Sequence, residues 1–125
     1  MKVFYFGRET DCDSLKRLNC ILMSRDENKL NQFELYGSER YPHLAILVHD
    51  NLACVHFFVS EDDCGHYAYC DENLLDENDS TTFSIGSTKT QISNHLVIPF
   101  SLAQAVAGDF FLSLKMSEKV KWFEL

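Results

Sequence analysis

Between Tyr41 and Thr88 the chain contains no lysine and no arginine, although the same segment contains nine acidic residues. The whole sequence of 125 residues has 11 basic and 19 acidic residues, so the rest of the chain, with 11 basic and 10 acidic residues, is almost neutral. Like charges held close together repel each other and lower the stability of a fold. The segregation therefore favours a surface that meets a strongly basic partner, and the alternative is a solvated face that only keeps a small domain dispersed.

Other absences exclude whole classes of protein. No apolar run is long enough to span a bilayer, and the first 13 residues lack the apolar stretch of a secretion signal. We therefore expect a cytoplasmic protein with no membrane partner. The sequence pI of about 4.9 and the lack of clustered lysine and arginine argue against direct binding to nucleic acid.

Known catalytic motifs are missing as well. The chain has no Gly-x-Ser-x-Gly elbow, no glycine-rich phosphate loop with lysine, and neither the His-x-Glu nor the Pro-Cys-x-x-Cys of the zinc deaminases. Its five cysteines are an odd number that fits reduced thiols, and no pattern around them marks an activated nucleophile. We expect no enzymatic activity, no catalytic residue and no cofactor.

Two Cys-x-His pairs leave a metal-based alternative open. Residues two apart on a strand share a face, so Cys54 with His56 and Cys64 with His66 could together hold one zinc ion. However, the usual zinc spacings differ from this pattern, and a buried free cysteine is common in a core strand. The sequence predicts no metal site, and a metal-binding regulatory module is the least favoured function.

Hydrophobic periodicity predicts a single α+β domain over residues 1–125, with a mainly antiparallel β-sheet packed by two main α-helices. Strands are expected near residues 3–6, 33–36, 44–48, 52–59, 66–70, 83–85, 96–98 and 120–123. The segments 44–48 and 52–59 should form a tight hairpin. Because 52–59 is apolar on both sides, it should be central, covered on each side, and packed by helices.

Two segments have helical patterns. The first is expected at 14–24, with Asp11 and Asp13 near its N-terminus. The second is expected at 101–116 and should begin with a capping box formed by Ser101 and Gln104. Its predicted buried stripe is Leu102, Val106, Phe110 and Leu114, and the small residues Ala103, Ala107 and Gly108 should let it approach the sheet closely.

The last two thirds of the chain have a characteristic order of aromatic and aliphatic residues. Tyr41-Pro42 precedes the hydrophobic hairpin, Val97-Ile98 precedes the last helix with its pair Phe110-Phe111, and the chain closes with 120–125, Val-Lys-Trp-Phe-Glu-Leu. This order resembles immunity protein family 1 of bacterial polymorphic toxin systems. Ser117 departs from the family pattern, which often has proline before the terminal strand.

The resemblance implies an antitoxin without catalytic activity. Such a protein binds a cognate secreted toxin domain as a heterodimer and occludes its active site, and the implied toxin is a deaminase that acts on nucleic acid. The acidic segment supports this independently, since enzymes that act on nucleic acid keep a positive groove that an acidic protein can occupy. The alternatives are immunity to a nuclease toxin, or a cytosolic adaptor or chaperone that escorts a basic effector without inhibiting it.

The candidate partner-binding residues all lie within 61–79, which we call the acidic segment. Tyr67 and Tyr69 alternate with Ala68 inside it, and tyrosine is favoured at interface hot spots because it combines apolar area with a polar tip. Ordinary strand packing is the alternative for both tyrosines. The predicted set is Glu61, Asp62, Asp63, Tyr67, Tyr69, Asp71, Glu72, Asp76, Glu77 and Asp79.

Overall fold

The structure is a computed structural model that describes residues 1–71 and 75–125. Its strands are β1 (Lys2–Tyr5), β2 (Arg8–Asp11), β3 (Leu30–Tyr36), β4 (His43–His49), β5 (Leu52–Phe58), β6 (His66–Tyr69), β7 (Ser80–Ile85), β8 (Thr88–Ser93), β9 (Ile98–Pro99) and β10 (Lys121–Glu124). The helices are α1 (Leu15–Leu22) and α2 (Phe100–Ser113), with a short 3₁₀ helix at Asn94–Leu96. The predicted α+β class is confirmed.

Eight strands form one antiparallel sheet. Their order is β10-β6-β5-β4-β3-β1-β2, and β9 pairs with the start of β5. The long hairpin of β4 and β5 runs in register from His43 opposite Phe58 to His49 opposite Leu52, which confirms the tight hairpin. Asp50 in its turn has a φ of 56°, a conformation that two-residue hairpin turns favour.

Both helices pack on one face of this sheet. Ile46 of β4 and Val55 of β5 are fully buried on that face, in the same core as Val106 of α2. The ring of Phe110 meets the ring of Phe57 edge-on, with centroids 6.0 Å apart. Since burial of each such side chain stabilises the fold by about 1.5–3 kcal/mol, this layer is the main hydrophobic core.

Helix α2 begins without the predicted capping box. Its N-cap residue is Pro99, and no side chain caps the first turn. The predicted capping box of Ser101 and Gln104 is therefore wrong. The physical reason is that strand pairing fixes the helix start: Pro99 lies opposite Leu52, and the amide of Phe100 donates to the Asn51 carbonyl at 2.8 Å. A backbone acceptor thus replaces the expected side-chain cap.

The buried stripe of α2 is also rotated from the predicted one. Val106 and Phe110 are buried as expected, but Leu102 is only half-buried and Leu114 is 37% exposed at the left-handed C-cap. The stripe runs instead through Phe100, Ala103, Val106, Ala107 and Phe110. Two small residues at its centre let the helix lie close to the sheet. Within the described residues, no helix is both long enough and apolar enough to cross a membrane.

The other face of the sheet is covered in part by the β7–β8 hairpin, and not by a helix. Phe83 of β7 is fully buried there with Leu47, Cys54 and Val97. The amide of Gly86 in the hairpin turn donates to Oε1 of Gln32 at 2.8 Å, which ties the hairpin to β3. The sequence predicted only a short strand at 83–85, because the residues of β8 are almost all polar.

A second hairpin, formed by β1 and β2, precedes the first helix, where the sequence predicted a single strand. β1 and β2 are joined by Phe6 and Gly7, both with positive φ, and Asp11 at the end of β2 forms an ion pair with Lys2. The predicted place of Asp11 at a helix N-terminus is therefore wrong. Helix α1 is capped by Ser14, whose Oγ accepts a hydrogen bond from the Arg17 amide at 3.1 Å.

The turn before β10 is organised by Ser117. Its buried hydroxyl donates to Oδ2 of Asp109 at 2.6 Å, and its carbonyl accepts a hydrogen bond from Nε1 of Trp122 at 2.9 Å. The indole ring then meets Phe57 edge-on, with centroids 6.0 Å apart. β10 is held against β6 in this way, at the edge of the sheet.

Candidate protein-binding surface

The part of the sheet that β7 and β8 leave uncovered carries a row of side chains in cross-strand register. The row consists of Glu34 on β3, Ala45 on β4, His56 on β5, Tyr67 on β6 and Phe123 on β10. Residues paired across antiparallel strands project to the same face, so these five side chains form one strip, which we call the open strip. All five are at least partly exposed.

Stacked rings fix the open strip and its neighbours. His56 lies between Tyr67 and Phe58, with centroid distances of 4.1 Å and 4.0 Å. Tyr36 lies two residues after Glu34 on β3, and His43 lies two residues before Ala45 on β4. Their rings stack with centroids 5.7 Å apart and an angle of 10° between the ring planes. Rings that are already held in place lose little side-chain entropy on binding, so this surface is preorganised for a partner.

The turn that follows β5 sets the orientation of His56. Its Nε2 lies 3.2 Å from the carbonyl oxygen of Cys64, and because a carbonyl only accepts, Nε2 carries the proton. Gly65 passes over this nitrogen with a φ of +99°, and a Cβ atom there would lie 2.1 Å from Nε2. Burial lowers the pKa of His56, so the ring is neutral at pH 7.

A carboxylate and a second histidine lie at the β3 end of the open strip. Oε1 of Glu34 is 3.5 Å from Nε2 of His43, and this contact holds the pKa of Glu34 below its usual range although partial burial opposes it. Glu34 is therefore ionised at neutral pH. His43 is buried, and its Nδ1 has no hydrogen-bond partner among the described residues. Arg40 lies 5.1 Å from the ring centroid of Tyr36 and attracts Glu34 more weakly.

The predicted acidic residues lie in two groups at opposite ends of β6. One group, Glu61, Asp62 and Asp63, occupies the turn between β5 and β6, and the other, Asp71, Asp76, Glu77 and Asp79, lies between β6 and β7. Glu72 belongs to the second group in sequence and lies outside the described residues. The four residues of β6 span about 13 Å, so the acidic segment presents two separate groups of charge.

Three of these carboxylates hold turns. Asp63 accepts hydrogen bonds from the amides of Val59 at 2.8 Å and Gly65 at 2.9 Å, and these bonds lower its pKa. Asp76 and Asp79 each accept one from a backbone amide one or two residues further along the chain. These residues therefore support the local backbone, whatever else they contact.

One predicted acid is neutralised from a distant part of the sequence. Asp71 forms an ion pair with Lys121, because β10 pairs with β6 and brings a lysine beside the acidic segment. By contrast, the carboxylates of Glu61, Asp62 and Glu77 are exposed and make no hydrogen bond or ion pair with any residue in 1–71 or 75–125. Among the described residues of the acidic segment, these three carboxylates are the ones left free for a partner.

The two tyrosines project to the same side of β6, and Ala68 between them is buried on the helix side. Tyr67 belongs to the open strip. Tyr69 instead contacts His95 of the 3₁₀ helix, with centroids 5.2 Å apart. Tyr67 is therefore the better placed of the two for contact with another protein.

The Cys-x-His pairs differ in their surroundings. Cys54 is buried beneath the β7–β8 hairpin, and burial raises the pKa of its thiol to about 12. Cys64 is exposed on a turn, and all five cysteines are free. In the part of the chain that the structure describes, no three His, Cys, Asp or Glu side chains are arranged to hold a metal ion.

Sequence reasoning missed Glu34, His43 and His56 as parts of a surface. Alternation within β4 and β5 predicts which residues share a face, but not which face the helices cover. That choice depends on where the polar β7–β8 hairpin packs, and the row across five strands appears only once the register of each pair is known.

No protein-family model matches the chain, and no curated protein shows significant sequence similarity to it. The resemblance to immunity protein family 1 stays a prediction that rests on the residues quoted above.

Proposed function

We propose that the protein is an immunity protein that binds a cognate basic toxin domain and occludes its nucleic-acid-binding active site, as a heterodimer in the cytoplasm of the producing cell. The observation that carries this proposal is the set of free carboxylates of Glu61, Asp62 and Glu77 around β6, beside the stacked rings of the open strip. The deaminase class of the toxin comes from the family resemblance alone.

The free carboxylates and the stacked rings act on different steps of binding, association and dissociation. Exposed charges of one sign raise the rate at which an oppositely charged partner is encountered, because their field extends over about 10 Å at 0.1 M salt. Preorganised aromatic rings supply short-range contacts that slow dissociation. An acidic surface also competes directly with phosphate groups for the basic residues of a nucleic-acid enzyme.

The direct test is a complex with the toxin domain, which under this proposal is encoded next to the gene for this protein. We expect the two chains to elute together from a sizing column at a ratio of one to one, and an equimolar amount of this protein to abolish deamination of DNA or RNA by the toxin. A stable complex with a fully active toxin would favour an adaptor, and no complex at micromolar concentrations would contradict the proposal.

A further inference from the structure

The sheet ends on one side at β10, and no further strand of the described residues pairs with the outer edge of β10. On the inner side, the Leu125 amide donates to the Gly65 carbonyl at 3.0 Å, in register with the pairing of β10 with β6. Because hydrogen-bonded and non-hydrogen-bonded pairs alternate along an antiparallel ladder, Phe123 also directs its backbone groups toward β6. The backbone N–H and C=O groups of Trp122 and Glu124 therefore point away from the sheet.

The two edges of the sheet differ in their side chains. β2, at the opposite edge, has the sequence Arg-Glu-Thr-Asp, and charged side chains are a usual protection of an edge against other strands. β10 instead has Trp122 and Phe123 at its middle, and the Phe123 side chain is 48% exposed. The adjoining Leu125 is 54% exposed. A free edge with exposed apolar side chains is typical of the places where another protein adds a strand to a sheet.

The charges near β10 favour a basic partner. Glu124 is exposed and forms no ion pair with any residue that the structure describes. The free carboxylates of Glu61 and Asp62 belong to the turn between β5 and β6, and Gly65 of this turn contacts Leu125. A second copy of this chain, with its net charge of -8, would bring like charges together at this edge, whereas a basic protein brings opposite charges.

We propose that the toxin domain adds one of its own strands to β10, antiparallel to it, and so extends the sheet across the complex. This strand exchanges backbone hydrogen bonds with Trp122 and Glu124, and it places a lysine or arginine opposite Glu124. An apolar side chain lies opposite Phe123, in a non-hydrogen-bonded pair whose Cα atoms are only about 4.5 Å apart, and continues the row of the open strip. The inference rests on the proposed function, since the toxin domain supplies the strand.

Amide hydrogen exchange in the complex tests the pairing directly. The amides of Trp122 and Glu124 should exchange rapidly in the free protein and at least about tenfold more slowly in the complex, because each gains a backbone acceptor. The Asp11 amide is the matched control at the other edge: the Cys12 amide donates to the Met1 carbonyl, so the Asp11 amide points outward from β2. Its exchange rate should stay the same. A stable complex in which Trp122 and Glu124 exchange as in the free protein would overturn the inference.

Two variants at one position separate the backbone from the charge. Glu124→Pro removes the outward amide and keeps the bonds to β6, since an edge strand tolerates proline where its nitrogen faces solvent. Glu124→Gln removes only the charge. We expect Glu124→Pro to bind the toxin domain about tenfold or more weakly than Glu124→Gln, because proline lacks the donor and its ring meets the incoming strand. Equal binding of the two variants would contradict strand addition. Unfolding midpoints show that both variants fold, and hydrogen exchange alone decides the matter if Glu124→Pro does not.

A further experiment needs no toxin. Capped Lys-Val-Lys-Val-Lys is titrated into the free ¹⁵N-labelled protein, and the same peptide with every backbone amide N-methylated is the matched probe without donors. We expect the first peptide to shift the amide signals of Trp122 and Glu124 at millimolar concentrations, and the methylated peptide to shift them at least about threefold less. Equal effects of the two peptides would count against strand addition, because the side chains alone would then explain the binding.

The two proposals fail in different ways. Shifts that need the peptide amides, without any complex with the toxin, contradict the immunity function and keep β10 as a strand-binding edge. Inhibition of the toxin without protection of the Trp122 and Glu124 amides keeps the immunity function and excludes strand addition. A dimer of the free protein in which the same two amides are protected contradicts the choice of partner, since a second copy then occupies the edge.

Discussion

His56 and Tyr67 stack with their ring centroids 4.1 Å apart and an angle of 24° between the ring planes. The pair joins the central strand β5 to β6, the strand that lies between the two acidic groups. The ring contact therefore adds to the strand pairing that joins β5 to the strand between the free carboxylates.

Replacement of Tyr67 by Ala should speed dissociation of the toxin complex by a factor that corresponds to about 1–3 kcal/mol of binding free energy. The reason is that the ring is held in place and is part of the open strip. Tyr69→Ala is the matched change, and it should have a smaller effect since Tyr69 already contacts His95. Surface plasmon resonance gives both dissociation rates. Equal effects of the two changes would mean that the open strip is not the contact surface.

Neutralisation of the three free carboxylates should act on association instead. The variant Glu61→Gln/Asp62→Asn/Glu77→Gln should slow association roughly tenfold at low salt, with a smaller effect when salt screens the field. The same number of charges is removed elsewhere by Asp13→Asn/Glu27→Gln/Asp50→Asn, which should change association far less. If both triple variants associate at the same rate, the acidic segment is only a solvated face.

Asp63 should behave differently from these three acids. Its carboxylate accepts amide hydrogen bonds from Val59 and Gly65, so Asp63→Ala should lower the free energy of unfolding. Glu61→Ala, two residues earlier on the same turn, should change it by less than about 0.5 kcal/mol. Urea denaturation of the two variants measures the difference, and equal stabilities would show that the Asp63 bonds contribute nothing.

The sequence predicted most of the fold because its central strands have strong local signals. The hairpin of β4 and β5 combines two apolar runs with a short polar turn, and Val106 and Phe110 recur at helical spacing. The errors occurred where distant segments decide the outcome. The start of α2 is set by pairing with β5, and Asp11 is placed by a hairpin whose turn begins with Phe6, an unusual residue at positive φ.

Less of the candidate surface was predictable. The charge segregation was visible in the sequence, but Lys121 reaches Asp71 from 50 residues away because of strand pairing. Local patterns identify which residues are acidic or aromatic, and only the register shows which charges are already paired.

The five cysteines should differ in reactivity in an order that follows their burial. In the native protein, Cys20 and Cys64 are exposed and should react rapidly with a thiol reagent, while the buried Cys12 and Cys54 should react only after unfolding. Cys54 should be slowest, because burial raises the pKa of its thiol to about 12 and thiolate is the reactive form. Five thiols should react after unfolding without reductant. One zinc per chain, lost in Cys54→Ser or Cys64→Ser, would contradict the prediction of no metal site.

The final prediction concerns the pH dependence of stability. Burial lowers the pKa of His56 in the folded protein below its ordinary value of 6.5. Neighbouring His66 and His43 act in the same direction, while the hydrogen bond to the Cys64 carbonyl and the charge of Asp63 oppose the shift. As the pH falls, the unfolded chain therefore binds a proton at this position before the folded chain does. The stabilising contribution of neutral His56 is fully present above about pH 6.5 and is lost as the pH falls through the folded-state pKa.

Urea unfolding at pH 7.5, 6.5 and 5.5 should accordingly show a fall in the free energy of unfolding that His56→Gln reduces and that His95→Gln, at an exposed histidine, does not. Carboxylates such as Asp63, whose pKa is lowered, lose their contribution only near pH 4 and below, so they do not obscure this window. An NMR titration assigns the proton directly, because the His56 ring signals should move at a pH below 6.5. A His56 pKa at or above 6.5 would show that the stack with Tyr67 and Phe58 does not exclude water from the ring.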